Sequence, residues 1–340
     1  MKRIAFLAAV AATLCTVACN KNMDAQINEV PDQPENQTEQ TLHPLTIKIS
    51  GGAQTKATSV SSEDETRVNT LQVIAFRNNV KDTYGSINNS DEITIQCADG
   101  GRTVWAIVNG PDVSAVTTPT ELQAVMCTMK DYSISDFAMT GSTWVELPQA
   151  ETAEIEVTRI ASRIVIKKIT RNFAVAAEAA KTMTIQSIRL SDVVVKSNLG
   201  VSYVPSESSD FMFLKGGTSS GATALYEDCL SLLPNGESHE VSHYFYAFPN
   251  PTVNDSCSST WNPRHTHLVV QVGIDNNTEY YVIPMPVIER NKSYEIEELT
   301  LTRHGASNPY TYFQDTEFEV SVKDWAVVTV TDGVNEGIVI

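Results

Sequence analysis

His265-Thr266-His267 is the stretch best suited by residue type and spacing to hold a metal. Alternate residues of a strand share a face, so two imidazoles would point the same way and begin a zinc site. Asp255, Cys257 and Arg264 lie nearby in sequence, but spacing fixes no third ligand. Exposed strand histidines are far commoner than metal ligands, so the expectation here is no metal. Serines, histidines and aspartates are all present, yet no Gly-x-Ser-x-Gly elbow supports a hydrolase. Neither a GxGxxG nor a P-loop pattern offers a phosphate cradle. Trp105, Trp144, Trp261 and Trp325 include the aromatic faces a sugar platform needs, but Trp105 and Trp325 sit in strand-like runs and read as core. The residues therefore predict no enzyme and no cofactor.

The chemistry that is well signalled is covalent processing. Lys2 and Arg3 precede an apolar run, Ile4 to Val17, and Ala18 precedes Cys19. This is the anatomy of a secretory signal, and the run is short for a membrane span. Cys19 is the lipidation point of a lipoprotein signal over residues 1–18, with small Val17 and Ala18 before it. Position 16 is Thr where such signals usually carry Leu, and Cys15 is disfavoured because Leu14 precedes it. The alternative is an ordinary signal cleaved near Ala18.

Beyond the leader, Cys97, Cys127, Cys229 and Cys257 are scattered without a CxxC, and they stay unassigned as thiols or disulfides. Lys and Arg number 24 against 41 Asp and Glu, a formal net charge of -17 without a long block of either sign. Loss of Lys2 and Arg3 makes the chain more acidic still. Nucleic acid and anionic lipid would repel such a surface.

Residues 19–41 form a polar leader with Pro31 and Pro34 and few apolar anchors, a composition that cannot bury enough surface to order itself. Leu45, Ile47 and Ile49 then alternate with Thr46, Lys48 and Ser50, the period of a half-buried strand. A loose polar loop, Gly51 to Glu65, follows. The first strand is thus joined to the rest by a tether open to proteolysis, and the pattern suits a strand that is removed and replaced from a neighbouring subunit.

Further strands are expected at Val68–Phe76, Ile93–Cys97, Thr103–Val108, within Ile155–Ile169 and within Met183–Val195. More follow at His243–Phe248, His267–Ile274, Glu279–Ile283, Tyr294–Thr302, Phe318–Val322 and Val327–Val330, with a last one possible at Gly337–Ile340. One helix is well marked. Thr118 can cap it, Pro119 suits its first turn, and Glu121 completes a capping box. Leu122, Val125, Met126 and Met129 then fall on one face, as core packing. Phe173–Lys181 fits either a short helix or a loop, and Ser197–Val241 reads as long loops. Many short strands and one clear helix predict a mostly-β chain with two β-sandwich domains. The expected divisions are 42–156 and 157–340.

Several stretches together resemble the FimA-type fimbrillins, the subunits of type V pili on certain Gram-negative bacteria. They are Ala18-Cys19-Asn20-Lys21, Leu45–Ile49 with Lys56-Ala57, and Gly101-Arg102-Thr103-Val104 through Val108-Asn109. Arg159-Ile160-Ala161-Ser162-Arg163, Ile288 through Ile296 and Val322-Lys323-Asp324-Trp325 continue the likeness in order along nearly the whole chain. The resemblance implies two transthyretin-like β-sandwich domains in tandem, with one short helix in the first. It implies a lipoprotein precursor at the outer membrane, from which a trypsin-like protease removes lipid and first strand. Its processing position matches Lys56 before Ala57, a Lys where the family typically has Arg, and the next Arg is Arg67. The partners implied are other copies of the chain and related fimbrial subunits in a surface fimbria serving adhesion, with the surface ligand unidentified. A tip adhesin or an outer-membrane glycan-binding lipoprotein is the alternative.

An emptied groove exposes backbone N–H and C=O groups beside apolar surface, and an incoming strand satisfies both. Val328, Val330, Ile338, Val339 and Ile340 are apolar enough to supply that strand, although the same residues also suit pairing within their own domain.

Overall fold

Among the described residues, alternation of apolar and polar side chains becomes strand almost wherever it occurs. The computed structural model describes residues 41–51, 65–128, 136–200, 203–207, 210–212, 226–252, 263–309 and 317–324. The first strand, β1 (Leu42–Gly51), extends the expected Leu45–Ser50 run at both ends, with Leu45 and Ile47 fully buried and Lys48 exposed. β2 (Thr70–Arg77) and β3 (Val80–Asn88) form a hairpin. Its turn, Asn78-Asn79, has φ of 52° and 62°, the left-handed pair that a tight hairpin turn requires. β4 (Glu92–Ala98) and β5 (Gly100–Val108) follow.

The helix α1 (Pro119–Ala124) has the capping box read from sequence, with the Glu121 backbone N–H donating to Thr118 Oγ1 at 3.2 Å. It is shorter than its apolar stripe suggests. Val125 is already extended, and Met126 opens a strand, β6 (Met126–Thr128), with its side chain exposed. Met129 lies outside the described residues. β7 (Met139–Leu147) and β8 (Thr152–Arg159) complete the first half.

These strands pair in the order β3-β2-β5-β7-β8-β1-β4. β7 and β8 share only Met139↔Arg159 and Thr140↔Thr158, so the sheet turns a corner there. At the corner a Cβ on Gly141 would lie 2.0 Å from the Glu156 carbonyl oxygen, a position only glycine can occupy. The fold-over makes a sandwich. β3-β2-β5-β7 forms one layer and β8-β1-β4 the other, and Leu71, Val73, Val104, Ala106 and Val145 pack against Leu45, Ile47, Ile95, Ile155 and Val157.

In the second half come β9 (Ser162–Ile166), β10 (Ile169–Arg171), the four-residue helix α2 (Ala176–Ala179) and β11 (Met183–Ser191). β11 ends at Asp192, whose φ of 53° breaks it from β12 (Val193–Val194). Short pieces follow, β13 (Lys196–Asn198) and β14 (Phe211–Met212), then β15 (Tyr226–Leu232), β16 (Ser238–His239) and β17 (His243–Ala247). β15 and β16 lie where long loops were expected. The last strands are β18 (His267–Ile274), β19 (Asn277–Pro284), β20 (Lys292–Leu301) and β21 (Glu317–Asp324).

β9 and β10 lie end to end along one edge of β20, parallel to it, while β21 takes its other edge. β17 and β16 continue outward, antiparallel to β9 and β10 respectively. The facing sheet runs β15-β11-β18-β19. Ile164, Phe245, Tyr294 and Leu299 from one sheet meet Ile185, Ile188, Val270 and Ile283 from the other in one core.

The expected division at 156/157 falls inside β8, all of which belongs to the first half; the change of sheet comes at Ile160-Ala161. A third apolar cluster joins the halves, with Ile74, Phe76, Ile107 and Leu122 against Ile160, Val194, Leu199 and Phe248. The β6–β13 ladder adds backbone hydrogen bonds across the same seam. The described residues from 41 onward accordingly form one compact unit.

Two expectations about side chains change. His267 is not an exposed strand histidine: it is buried, with Nδ1 3.3 Å from Asp192 Oδ2. Trp105 is half-buried beside the seam cluster, and Trp144 stands 63% exposed.

Candidate functional site

β1 is the middle strand of the three-stranded layer, and this position gives its removal consequences. Leu42 to Lys48 pair antiparallel with Ala98 to Glu92 of β4, and Thr46 to Gly51 pair in parallel with Thr152 to Val157 of β8. Ile47 faces Ile93 on one side and Ala153 on the other. Between the strands, Thr46 Oγ1 lies 3.0 Å from Thr94 Oγ1, and Lys48 Nζ lies 2.8 Å from Glu92 Oε2. The Glu92 carboxylate raises the Lys48 pKa above its ordinary value.

Loss of β1 would uncover a groove with β8 on one wall and β4 on the other. The floor is the apolar face of β2, β5 and β7. Backbone donors and acceptors of both walls would lose their partners, and the pockets of Leu45 and Ile47 would open. Burying each of these two side chains is worth about 1.5–3 kcal/mol. β4 is the edge of the sheet and would lose its ladder. It keeps side-chain ties to the opposite layer, because the buried Arg102 guanidinium donates to the Ala98 carbonyl and to Asp82 of β3, and Arg77 Nη1 donates to the Asp99 carbonyl at 3.0 Å.

The chain re-enters the described structure at Glu65, which is not a loose loop residue. Its side chain is buried, and the Arg163 Nη1 lies 3.2 Å from its Oε2. Tyr246 donates to Glu65 Oε1 at 2.9 Å, and Arg159 donates to the Glu65 carbonyl through Nε at 3.2 Å and Nη2 at 2.9 Å. Arg159 is fully buried. Burial lowers its pKa to about 10, against the Glu65 charge, which raises it; the neighbouring Arg163 lowers it further. Burial pushes the Tyr246 hydroxyl pKa up, and Glu65 adds to the shift. The cluster joins the start of β2 to β8, β9 and β17. Arg67, two residues on, is exposed, and its carbonyl accepts from Asn109 Nδ2 at 2.7 Å.

Of the residues singled out by sequence, Leu45, Ile47 and Ile49 fall together on β1, facing the groove floor. Cys19, Lys56 and Ala57 lie outside the described residues, as do Val328, Val330, Ile338, Val339 and Ile340. Sequence reasoning missed Glu65 because a carboxylate in a polar loop carries no sign of burial. The signal was on the other side of the pair. Arg159 and Arg163 interrupt an apolar strand run, and buried guanidinium groups require anionic partners. Cys97 is a buried free thiol, Cys127 is buried, and Cys229 is a half-buried free thiol. Burial raises the Cys97 thiol pKa to about 11, which disfavours the thiolate form.

No family model matches the chain, and no curated protein matches it. Solved structures do. A candidate cell adhesion protein from Bacteroides eggerthii is 17% identical with a TM-score of 0.61, over 84% of this chain and 97% of that one. Another, from Parabacteroides distasonis, is 18% identical with a TM-score of 0.60, over 84% and 97%. A FimA fimbrilin from Porphyromonas gingivalis is 14% identical with a TM-score of 0.61, over 84% and 98%. The chain shares its fold with all three.

Proposed function

We propose that this chain, built on the fold of a FimA fimbrilin, is a structural subunit of a cell-surface fimbria that polymerises by exchanging its first strand. In this reading it reaches the outer membrane as a lipoprotein through Cys19. A trypsin-like protease then cuts after Lys56, lipid and β1 leave together, and a strand from another subunit fills the groove. The observation that carries the reading is the position of β1, a middle strand whose loss opens a groove lined on both sides by backbone hydrogen-bonding groups. Loss of an edge strand would expose the backbone of one neighbour only, not a groove with two walls.

The Glu65 cluster favours Lys56 over Arg67 as the cleavage position. A cut after Lys56 leaves Glu65 in the mature chain, with its bonds to Arg159, Arg163 and Tyr246. A cut after Arg67 removes a buried carboxylate from beside two buried guanidinium groups, a change that costs about 3–5 kcal/mol when one partner of a buried pair is lost. For the donor, residues 325–340 outnumber the ten of β1 and carry Val328, Val330, Ile338, Val339 and Ile340. The subunit's partners are then other copies of itself and related subunits, and its role is mechanical, without catalysis.

The test is N-terminal mapping by mass spectrometry of protein sheared from the cell surface. High-mass oligomers beginning at Ala57 are expected, and Lys56→Gln should leave the chain uncut and monomeric. An acylated Cys19 on an otherwise monomeric surface protein would overturn the reading.

A further inference from the structure

Cys229, His239 and His243 come from three different strands, yet their ligand atoms all lie within 4.8 Å of one another. His239 Nε2 is 2.9 Å from His243 Nε2 and 3.5 Å from Cys229 Sγ. The two rings stack with centroids 5.1 Å apart and planes 17° from parallel. A tetrahedral zinc with bonds of about 2.05 Å to nitrogen and about 2.3 Å to sulfur spaces its ligands about 3.3 Å apart for N–N and about 3.6 Å for N–S. The two edges at His239, 2.9 Å and 3.5 Å, are close to those of such a tetrahedron, and the third, between Cys229 and His243, is within 4.8 Å.

Protonation adds a second argument. His243 Nδ1 lies 2.9 Å from Glu227 Oε2, so the neutral ring that donates to this carboxylate carries its proton on Nδ1 and presents a lone pair at Nε2. His239 Nδ1 lies 3.1 Å from Ser231 Oγ, which can hold it the same way. With both protons outward, two lone pairs face each other, an arrangement that a cation between them relieves. Carboxylate and hydroxyl groups behind the ring nitrogens are the usual supports of histidine ligands.

The backbone is bent to make this meeting. β15 bulges against β11, where Asp228 and Ser231 face Ser187 and Ile185, residues only two apart. Within the bulge Leu230 has a φ of 46° and its side chain is 75% exposed. A β-bulge re-aims side chains, and a branched residue in the left-handed region is strained. Glu227, Cys229 and Ser231, at alternate positions, all reach the imidazoles. On the opposing sheet, residues 240–242 leave the ladder between β16 and β17, so two histidines four apart lie side by side.

We propose that Cys229, His239 and His243 bind a zinc ion that clips β15 of one sheet to β16 and β17 of the other, with water at the fourth position. One thiolate and two imidazoles select a borderline cation over calcium or magnesium, which take oxygen ligands.

The experiment titrates the full chain, purified reduced and without a histidine tag, with cobalt(II) and then zinc. One equivalent of cobalt should bind with a thiolate-to-cobalt charge-transfer band in the near ultraviolet, and zinc should displace it. Cys229→Ser should abolish the band, and Glu227→Gln should weaken binding by about 10–100-fold without changing the ligand set. Independently of any variant, zinc should raise the melting temperature of the parent chain and a chelator should reverse the rise. A parent chain with no charge-transfer band and no zinc-dependent melting shift overturns the proposal, and it identifies the pair as a metal-free imidazole–imidazole hydrogen bond. Retention of the band in Cys229→Ser, with unchanged circular dichroism, overturns the assignment of the thiolate.

Discussion

Ile47→Ala separates the strand-exchange reading from an ordinary sandwich domain. Ile47 is fully buried between Ile93 and Ala153, and its side chain belongs to the core that β1 shares with β2, β5 and β7. Truncating a buried isoleucine to alanine costs about 2–5 kcal/mol, from lost transfer energy and the cavity left behind. That cost falls only on states with β1 in its groove. The uncleaved chain should therefore lose about 2–5 kcal/mol in urea denaturation, at unchanged slope. The fraction of molecules with β1 displaced should rise by about 30-fold to about 4,000-fold, from the same energies at 1.4 kcal/mol per factor of ten. Uncut Ile47→Ala precursor should consequently begin to oligomerise without protease. On the strand-exchange reading the mature fibre lacks Ile47, so its resistance to dissociation by heat and detergent should match the parent. Equal destabilisation of fibre and precursor would refute the reasoning, because β1 would then still occupy the groove after assembly.

Glu65→Gln should cost about 3–5 kcal/mol in the uncleaved chain and also in a chain cut after Lys56, since both keep the Arg163 partner; chemical denaturation of the two forms checks this. Gly141→Ala should prevent correct closure of the β7–β8 corner, where the new Cβ would sit 2.0 Å from the Glu156 carbonyl, and soluble yield with melting temperature reads the loss. Glu295 governs an acid limb. Burial pushes its pKa up, but hydrogen bonds from Lys167 and Lys323 outweigh that and hold it at about 2, against an ordinary 4.5. A carboxylate with a depressed folded pKa contributes stability above its unfolded pKa and loses it as pH falls toward the folded one. Up to about 3 kcal/mol should thus disappear between about pH 4.5 and pH 2, and the denaturation midpoint of Glu295→Gln should be flatter over that window.

The parts of the fold that were legible in sequence are those where local pattern and tertiary environment agree. Leu45, Ile47 and Ile49 alternate because one face of β1 is core, and His267–Ile274 is strand over its whole expected length. Thr118, Pro119 and Glu121 marked the start of α1 because capping is settled within four residues. Its end was not legible. The stripe through Val125 and Met126 promised another turn, but pairing of Met126–Thr128 with Lys196–Asn198, some seventy residues away, drew the chain out of the helix. β3 was missed because an edge strand carrying Lys81, Asp82 and Gly85 shows no alternation, and β7 because Gly141, Ser142 and Thr143 dilute it. The site divided in the same way. The groove-filling face of β1 could be read directly, whereas Glu65 beside Arg159 and Arg163, and Cys229 beside His239 and His243, depend on a corner and a bulge that leave no periodic trace.

β1 runs parallel to one neighbour and antiparallel to the other. Parallel and antiparallel ladders space their hydrogen bonds differently, so a substitute that reproduces both must lie in the direction of the strand it replaces. A reversed occupant would meet each wall with the wrong pattern. In an assembly built this way the donor's heading is dictated by each acceptor, and every contact joins two unlike surfaces. Such heterologous contacts do not close into a symmetric pair; they propagate. The resulting filament has two different ends, one presenting an open groove and the other an unused strand. Growth and anchoring then become separate problems, each belonging to its own end.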